Sequence, residues 1–504
     1  MDLLQNKKIL FIFGHGGMEE QVLKLSREFE RRWNTKSYFS GGSKGGDHYL
    51  IKEGVKKDNI HLATFEDNKK DYPQPHKEYI KAAEERYGFN CWDIWQISAP
   101  RKKSRMRMDA DKVLYWMEYF IRETENCFQK YQPDYVIFYG IASFGGVILY
   151  KIALHHKIKV LQITNSRVPN RFSILDNPEN QWPLLIKEYD KLKKRDLSTD
   201  EINKAEKFIT NFKEKPPKPD GTVYVRLPWR EKIKKHYTNF KIFRYRKQIP
   251  DLKQFFWPLA NKVLDITGTF SMPVNREKYV YYPLHVDPEV STSFFGKWYV
   301  NQLALIENIA RSVPCDYKLY VKEHPYNYSS RPFYFRKEIK RFSNVRLISP
   351  HANGFELIKN SSLVLTITGT AGWEAILLER PVLVLGEVHY NIFRGAAKIN
   401  NIKELPAMIK KMVGLEIDEL ETLRFITAIF NSTFEGIGAT PGDSAKALEP
   451  KNIALLVDGI EGYLQKTWSQ KDVGNGNAIK KERVQKSLKV ATITALPNPL
   501  EILS

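Results

Sequence analysis

Cysteine is scarce in this chain: Cys91, Cys127 and Cys315 are scattered, odd in number, and form no CxxC pair. A disulfide scaffold and a Cys-rich zinc site are thereby excluded, and a reducing, cytoplasmic setting is expected. Long apolar runs are missing as well. The greasiest stretch, Tyr135–Tyr150, is shorter than the roughly 20 residues a membrane span needs. Gly140, Ser143, Gly145 and Gly146 also interrupt it before Lys151. The early apolar run Ile9–Phe13 stops at Gly14-His15-Gly16-Gly17, too soon for a signal peptide and with no small-residue cleavage site. Neither repeats nor collagen-like or coiled-coil composition is evident. The opening glycines do not spell GxGxxG, and no Asp-x-Asp motif stands at an obvious strand end to carry Mg²⁺. Metal and cofactor are therefore expected to be absent.

Negative charge is in deficit: 79 Lys and Arg face 58 Asp and Glu, a formal net charge of +21. Such a surplus attracts polyanions, whether nucleic acid, an anionic membrane face or a phosphorylated ligand, and does not choose among them. With 42% hydrophobic and 27% charged residues in a chain of 504, wholesale disorder is excluded and two or three domains are expected.

What is present is an α/β rhythm in two blocks. Lys8–Phe13, Tyr135–Tyr139 and Val160–Thr164 read as strands buried on both faces, and Met18–Arg32 carries Val22, Leu25 and Phe29 at helical spacing. Residues 46–132 give no strand order. A second block holds strands at Tyr279–Leu284, Tyr317–Lys322, Val345–Ile348, Leu363–Thr368 and Val382–Leu385. Helices are expected at Phe295–Ala310, Gly354–Asn360, Thr370–Leu378 and within Thr440–Leu464. The expected layout is a lobe at 1–180, a basic helical segment at 181–275, a second lobe at 276–465 and a polar tail at 466–504. Within the basic segment, Trp229–Phe256 interleaves aromatics with Lys and Arg. It suits a solvated helical region, an anionic bilayer surface or, least well, nucleic acid.

In open parallel sheets ligands sit beyond the carboxyl ends of the strands, so loops just after strands are where chemistry belongs. One such loop, Thr368-Gly369-Thr370-Ala371-Gly372-Trp373-Glu374, joins a strand to a helix. Its small residues admit a ligand to the helix N-terminus, a phosphate or carboxylate site; the plainer alternative is a turn capped by Thr370. His324-Pro325, also at a strand end, offers an imidazole for a leaving phosphate. Asp287 and Glu289, with His285 between them and the strand, offer a general base or a carboxylate nucleophile. In the first block the candidates are Gly14–Gly17 with His15, Tyr139–Gly146, and Arg167 and Arg171. The two arginines could grip an acidic acceptor or salt-bridge across a cleft.

YPLHVDPEVST (282–292), KEHP (322–325) and ISPHANGFELIKNSSLVLTITGTAGWEAILLERPVLVLG (348–386), in this order, resemble the capsule polysaccharide biosynthesis family. That family includes bacterial Kdo transferases and is distantly similar to bacterial sialyltransferases; NSRVPNRF (165–172) extends the likeness into the first block. The resemblance implies a GT-B glycosyltransferase, two Rossmann-like lobes facing a cleft, with the acceptor on the first lobe and a nucleotide-sugar on the second. His324 and Pro325 would then contact the donor nucleotide. Thr368, Gly369, Thr370, Gly372 and Glu374 would lie along its phosphate side. Glu289, or else Asp287, would stand where the family's Kdo transferases carry a reactive aspartate. His15, Arg167 and Arg171 would fall on the acceptor side. The implied reaction moves a sugar, an acidic one such as Kdo among the candidates, from a nucleotide (CMP weakly favoured) onto a glycan or glycolipid acceptor. The enzyme would work at the inner membrane face and without metal. The alternatives are a nucleotide-sugar 2-epimerase, a CDP-polyol phosphotransferase, or a non-catalytic basic protein that binds polyanions.

Overall fold

A computed structural model of the chain describes residues 3–14, 17–41, 45–63, 72–99, 108–141, 143–177, 181–215, 270–324, 331, 333–441 and 444–467. Most of the basic segment, including 229–256, and the tail beyond 467 lie outside these residues.

The first sheet is nucleated by β1, Lys8–Phe13. Its side chains alternate: Ile9, Phe11 and Phe13 enter one core cluster with Val22 and Phe29, while Leu10 enters another with Met117 and Ile148. Both faces are covered, as a continuous apolar run requires. Beside β1 lie β2 (Lys36–Gly41) and β3 (Ile60–Leu62) on one side and β4 (Tyr135–Phe138) and β5 (Lys159–Asn165) on the other, all parallel. β6 (Arg171–Leu175) then turns back antiparallel on β5. Among the described residues of 46–132 the strand is β3, accompanied by helices Gly46–Lys52, Lys77–Tyr87, Cys91–Ser98 and Ala110–Tyr131.

The second sheet is wholly parallel. Its order is β12 (Ala396–Lys398), β11 (Val382–Val384), β10 (Leu363–Thr366), β7 (Tyr279–Pro283), β8 (Lys318–Lys322), β9 (Val345–Ile348). In both sheets the chain reverses direction beside the first strand, between β1 and β4 and between β7 and β10. These are the switch points at which open α/β sheets bind ligands. The helix expected at Phe295–Ala310 is divided into Val290–Phe295 and Gln302–Ser312. Gly296 divides them, and a Cβ there would meet Ile367 Cγ2 at 2.2 Å.

The chain crosses between lobes twice. After β6, helices Pro183–Leu192 and Thr199–Glu214 leave the first sheet and share a core with Trp373 and Phe425 through Leu185, Tyr189 and Phe212. The return follows helix Glu419–Ser432: β13 (Phe434–Glu435) pairs antiparallel with β6, and helix Pro450–Thr467 packs on helix Met18–Trp33. That last helix stands within 276–465 in the sequence, yet Ile453, Leu456, Val457 and Ile460 join the core of Phe11 and Phe29. Its spacing shows that one face is buried, but not against which sheet.

The lobes meet at their carboxyl edges. Helix Val290–Phe295, just after β7, packs against helix Cys91–Ser98, and Lys297 Nζ lies 2.7 Å from Asp93 Oδ2. Arg167, just beyond β5, acts electrostatically on Glu374, His389 and Tyr390 beyond β10 and β11. The two parallel lobes across a cleft are those expected of a GT-B protein. Among the described residues no helix is long and apolar enough to cross a membrane.

Candidate active site

His285 is the post on which the second switch point is built. Its N–H donates to Gln302 Oε1 (2.8 Å), and its carbonyl accepts from Gln302 Nε2 (3.2 Å) and Arg331 Nη2 (2.6 Å). The ring crosses to the loop after β10, where Nε2 accepts the Ile367 N–H (3.1 Å) beside Thr366 Oγ1 (3.2 Å). An atom that accepts from a backbone amide carries no proton. Burial, with His324 and Arg331 adding repulsion, lowers this imidazole to about 3, so it is neutral at ordinary pH. Thr366 Oγ1 in turn accepts the Gly369 N–H (2.9 Å), which fixes the turn into the next helix.

A buried ion pair braces the loop after β8. Glu323 is wholly buried, and its Oε1 accepts both the His324 N–H (2.9 Å) and Arg331 Nε (2.9 Å). Breaking such a pair strands a charge in low dielectric, at a cost of about 3–5 kcal/mol. Burial, then Lys322 and Arg331, depress the ionisation of His324 below its usual range. In the fold without a ligand these surroundings disfavour the charged form of His324. Pro325 lies outside the described residues.

The helix Thr370–Leu377 begins without a capping side chain: its N-cap is Gly369, and Thr370 is the exposed first residue, which removes the capped-turn alternative. Its first N–H groups and partial positive charge point out of the β10 edge. A Cβ on Gly369 would meet Thr366 Oγ1 at 2.7 Å and His285 Cε1 at 3.1 Å, and one on Gly372 would meet the Tyr390 hydroxyl at 2.4 Å. That hydroxyl donates to the Gly369 carbonyl (2.6 Å). Thr368 differs from expectation. Its Oγ1 is closed off from solvent with no hydrogen-bond partner, so it meets a ligand only after the side chain turns. Glu374 lies one turn into the helix. Burial raises its carboxyl to about 7, and Arg167 across the cleft opposes the rise.

Asp287 and Glu289 are both exposed. The surrounding protein raises the Asp287 carboxyl and Arg331 pulls it back, which ties Asp287 to the cluster. Glu289 is the N-cap of helix Val290–Phe295, where its carbonyl accepts the Thr292 and Ser293 hydroxyls. On the first lobe, Arg167 is exposed at φ 66° and faces the cleft group just described. Arg171 does not. Its Nε donates to Thr433 Oγ1 (2.8 Å) and its Nη2 to the Phe430 (2.8 Å) and Thr433 carbonyls, so it closes the end of helix Glu419–Ser432 instead of gripping an acceptor. His15 lies outside the described residues. Among the described residues no group of three or more His, Cys, Asp or Glu is placed to hold a metal.

The cluster thus joins His285, His324, Arg331, Gly369 and Thr370 at one switch point, and the comparisons fall on the same ground. Residues 234–404 match the profile of the capsule polysaccharide biosynthesis proteins. Over that stretch the chain is similar to this family. The matched segment contains β7 to β12, His285, Asp287, Glu289, Glu323, His324, Arg331 and the loop 366–374. Protein FixF of Sinorhizobium fredii (strain NBRC 101917 / NGR234) is 30% identical over 160 residues, 30% of this chain and 37% of FixF, so the chain matches little more than a third of that relative. Among solved structures, the Thermosulfurimonas dismutans KpsC beta Kdo 2,7 transferase is 14% identical, covers 67% of this chain and 89% of its own, and has a TM-score of 0.34. The Neisseria meningitidis UDP-GlcNAc 2-epimerase bound to UDP-GlcNAc is 12% identical, covers 84% and 98%, and has a TM-score of 0.28. Likenesses of this size carry no further argument.

Of the residues that build this site, His285 and Glu323 were visible in the sequence, the first as an imidazole after a strand and the second as the residue before His324, but without their bracing roles. Arg331 left no local signal, since only the fold brings it to Glu323.

Proposed function

We propose that the protein is a glycosyltransferase of capsule polysaccharide biosynthesis that uses a nucleotide-sugar donor and a glycan acceptor. The observation that carries this is the uncapped helix end at Thr370, set at the switch point beside two imidazoles and Arg331. Backbone N–H groups at a helix start suit the phosphate of a nucleotide ester. In this reading His324 and the amides at Thr370 hold the departing phosphate, and Glu374 lies toward the nucleoside. Asp287, or Glu289, attacks the anomeric carbon or takes the acceptor proton. Arg167 faces the acceptor side of the cleft. The basic stretch 229–256 holds the enzyme near an anionic membrane face that carries a lipid-linked acceptor. An acidic sugar such as Kdo, carried on CMP, is the donor to test first.

Thermal stabilisation and calorimetry across CMP, UDP and GDP come first. One nucleotide is expected to bind, and His324→Ala to weaken it about tenfold or more with the fold retained. Sugar-nucleotide turnover with and without acceptor then separates transfer from epimerisation, because an epimerase alters its nucleotide-sugar with no acceptor present. Absence of binding to all three nucleotides overturns the proposal.

A further inference from the structure

Two tryptophans stand in solvent where the lobes meet. Trp298 is 82% exposed and Trp92 is 45% exposed, and Val300 beside them is 42% exposed. Single exposed apolar side chains are ordinary, but exposed tryptophans on two elements that an ion pair joins mark a contact surface. Trp92 belongs to helix Cys91–Ser98 of the first lobe, whose inward face is already filled by Trp95. Trp298 belongs to the short turn Lys297–Tyr299 of the second. Their neighbours in sequence, Asp93 and Lys297, are ion-paired at 2.7 Å, and Lys297 Nζ lies 5.0 Å from the Trp298 ring centroid. The loop that carries His285 and Asp287 runs through helix Val290–Phe295 directly into this turn. The patch therefore lies on the rim of the cleft and is contributed by both lobes.

Its polar neighbours indicate the occupant. The exposed side of the first helix is Trp92, Asp93 and Gln96, and the second turn shows Lys297, Trp298, Val300 and Asn301. Flat indoles bordered by a carboxylate, side-chain amides and an ammonium suit a pyranose chain. The C–H face of a sugar ring covers the indole while its hydroxyls find the flanking groups. A lipid-facing surface would have apolar neighbours without a carboxylate. We infer that Trp92 and Trp298 form a platform that holds glycan at the rim of the cleft. On the glycosyltransferase reading, on which only this clause rests, the platform carries the part of the acceptor chain remote from its reacting end.

The test titrates the full chain with cellohexaose and with short oligomers of polysialic acid, read by tryptophan fluorescence and calorimetry. At least one is expected to bind and to perturb the fluorescence. Trp298→Ala should weaken that binding at least about fivefold, Trp92→Ala should weaken it too, and Trp298→Phe should keep most of it. Thermal stabilisation by the preferred nucleotide should be the same in all variants, which also shows that they fold. The inference is overturned if neither glycan binds, or if Trp298→Ala binds as the parent does. It is also overturned if the tryptophans serve binding to phosphatidylglycerol vesicles and not to glycan. Tryptophan-dependent glycan binding without any nucleotide binding would leave the platform standing and remove the transferase reading.

Discussion

Glu374 shows how one residue's surroundings set its chemistry. A carboxyl on an exposed helix would ionise near 4.5; enclosed behind Tyr390 and the first helical turn, this one is raised to about 7. A carboxyl whose folded value exceeds its free value contributes most when protonated. That contribution is fully present below pH 4.5 and is lost as pH rises through 7. Glu374→Gln, which mimics the protonated form, should therefore stabilise the protein by up to about 2–3 kcal/mol at pH 8 and by much less at pH 5. Urea unfolding at the two pH values checks this, and an equal effect at both would refute it. His285 and Glu323 are buried and hydrogen-bond to the loops that present His324 and Thr370, so each positions others.

At the scale of elements, the turns after β7, β10 and β11 are held by close approach, which is why small residues recur there. Gly386 is the instance hemmed in by backbone. A Cβ would lie 2.6 Å from the Phe295 carbonyl oxygen and 2.9 Å from that of Ile367, both backbone atoms that cannot rotate away. Gly386→Ala should cost roughly 1–3 kcal/mol or more, seen as a lower urea midpoint. Gly414→Ala, with open space around its Cβ, should change little. The short apolar runs and the Thr/Gly loop were legible in the sequence because parallel strands buried on both faces leave no polar residue inside them. The short edge strands β3, β12 and β13 were not. Two or three residues cannot display a period, and their pairing is decided by neighbours distant in sequence.

At the scale of the molecule, the lobes are held together by the two crossings and by contacts at the cleft rim. Arg171 guards the return crossing, since it joins β6 to the last carbonyls of helix Glu419–Ser432, one residue before β13. A cation at a helix C-terminus also complements the helix dipole. Arg171→Met keeps most of the stem and removes the donors. It should lower stability by about 2–4 kcal/mol, because the Phe430 and Thr433 carbonyls lose their partner. A fall in the urea midpoint with unchanged slope is the expected reading; an unchanged midpoint would show that solvent replaces the guanidinium.

By itself the sequence determined the α/β class, the strands β1, β4, β5 and β7 to β11, and the loops in which chemistry would be sought. Each of these is a local matter of burial period and backbone freedom. The tertiary structure alone decided that Arg331 braces Glu323, that Arg171 serves a helix end, that helix Pro450–Thr467 returns to the first lobe, and that Asp93 meets Lys297. These depend on which buried faces find one another across hundreds of residues, and hydrophobic spacing is silent on that because any apolar face can pair with any other.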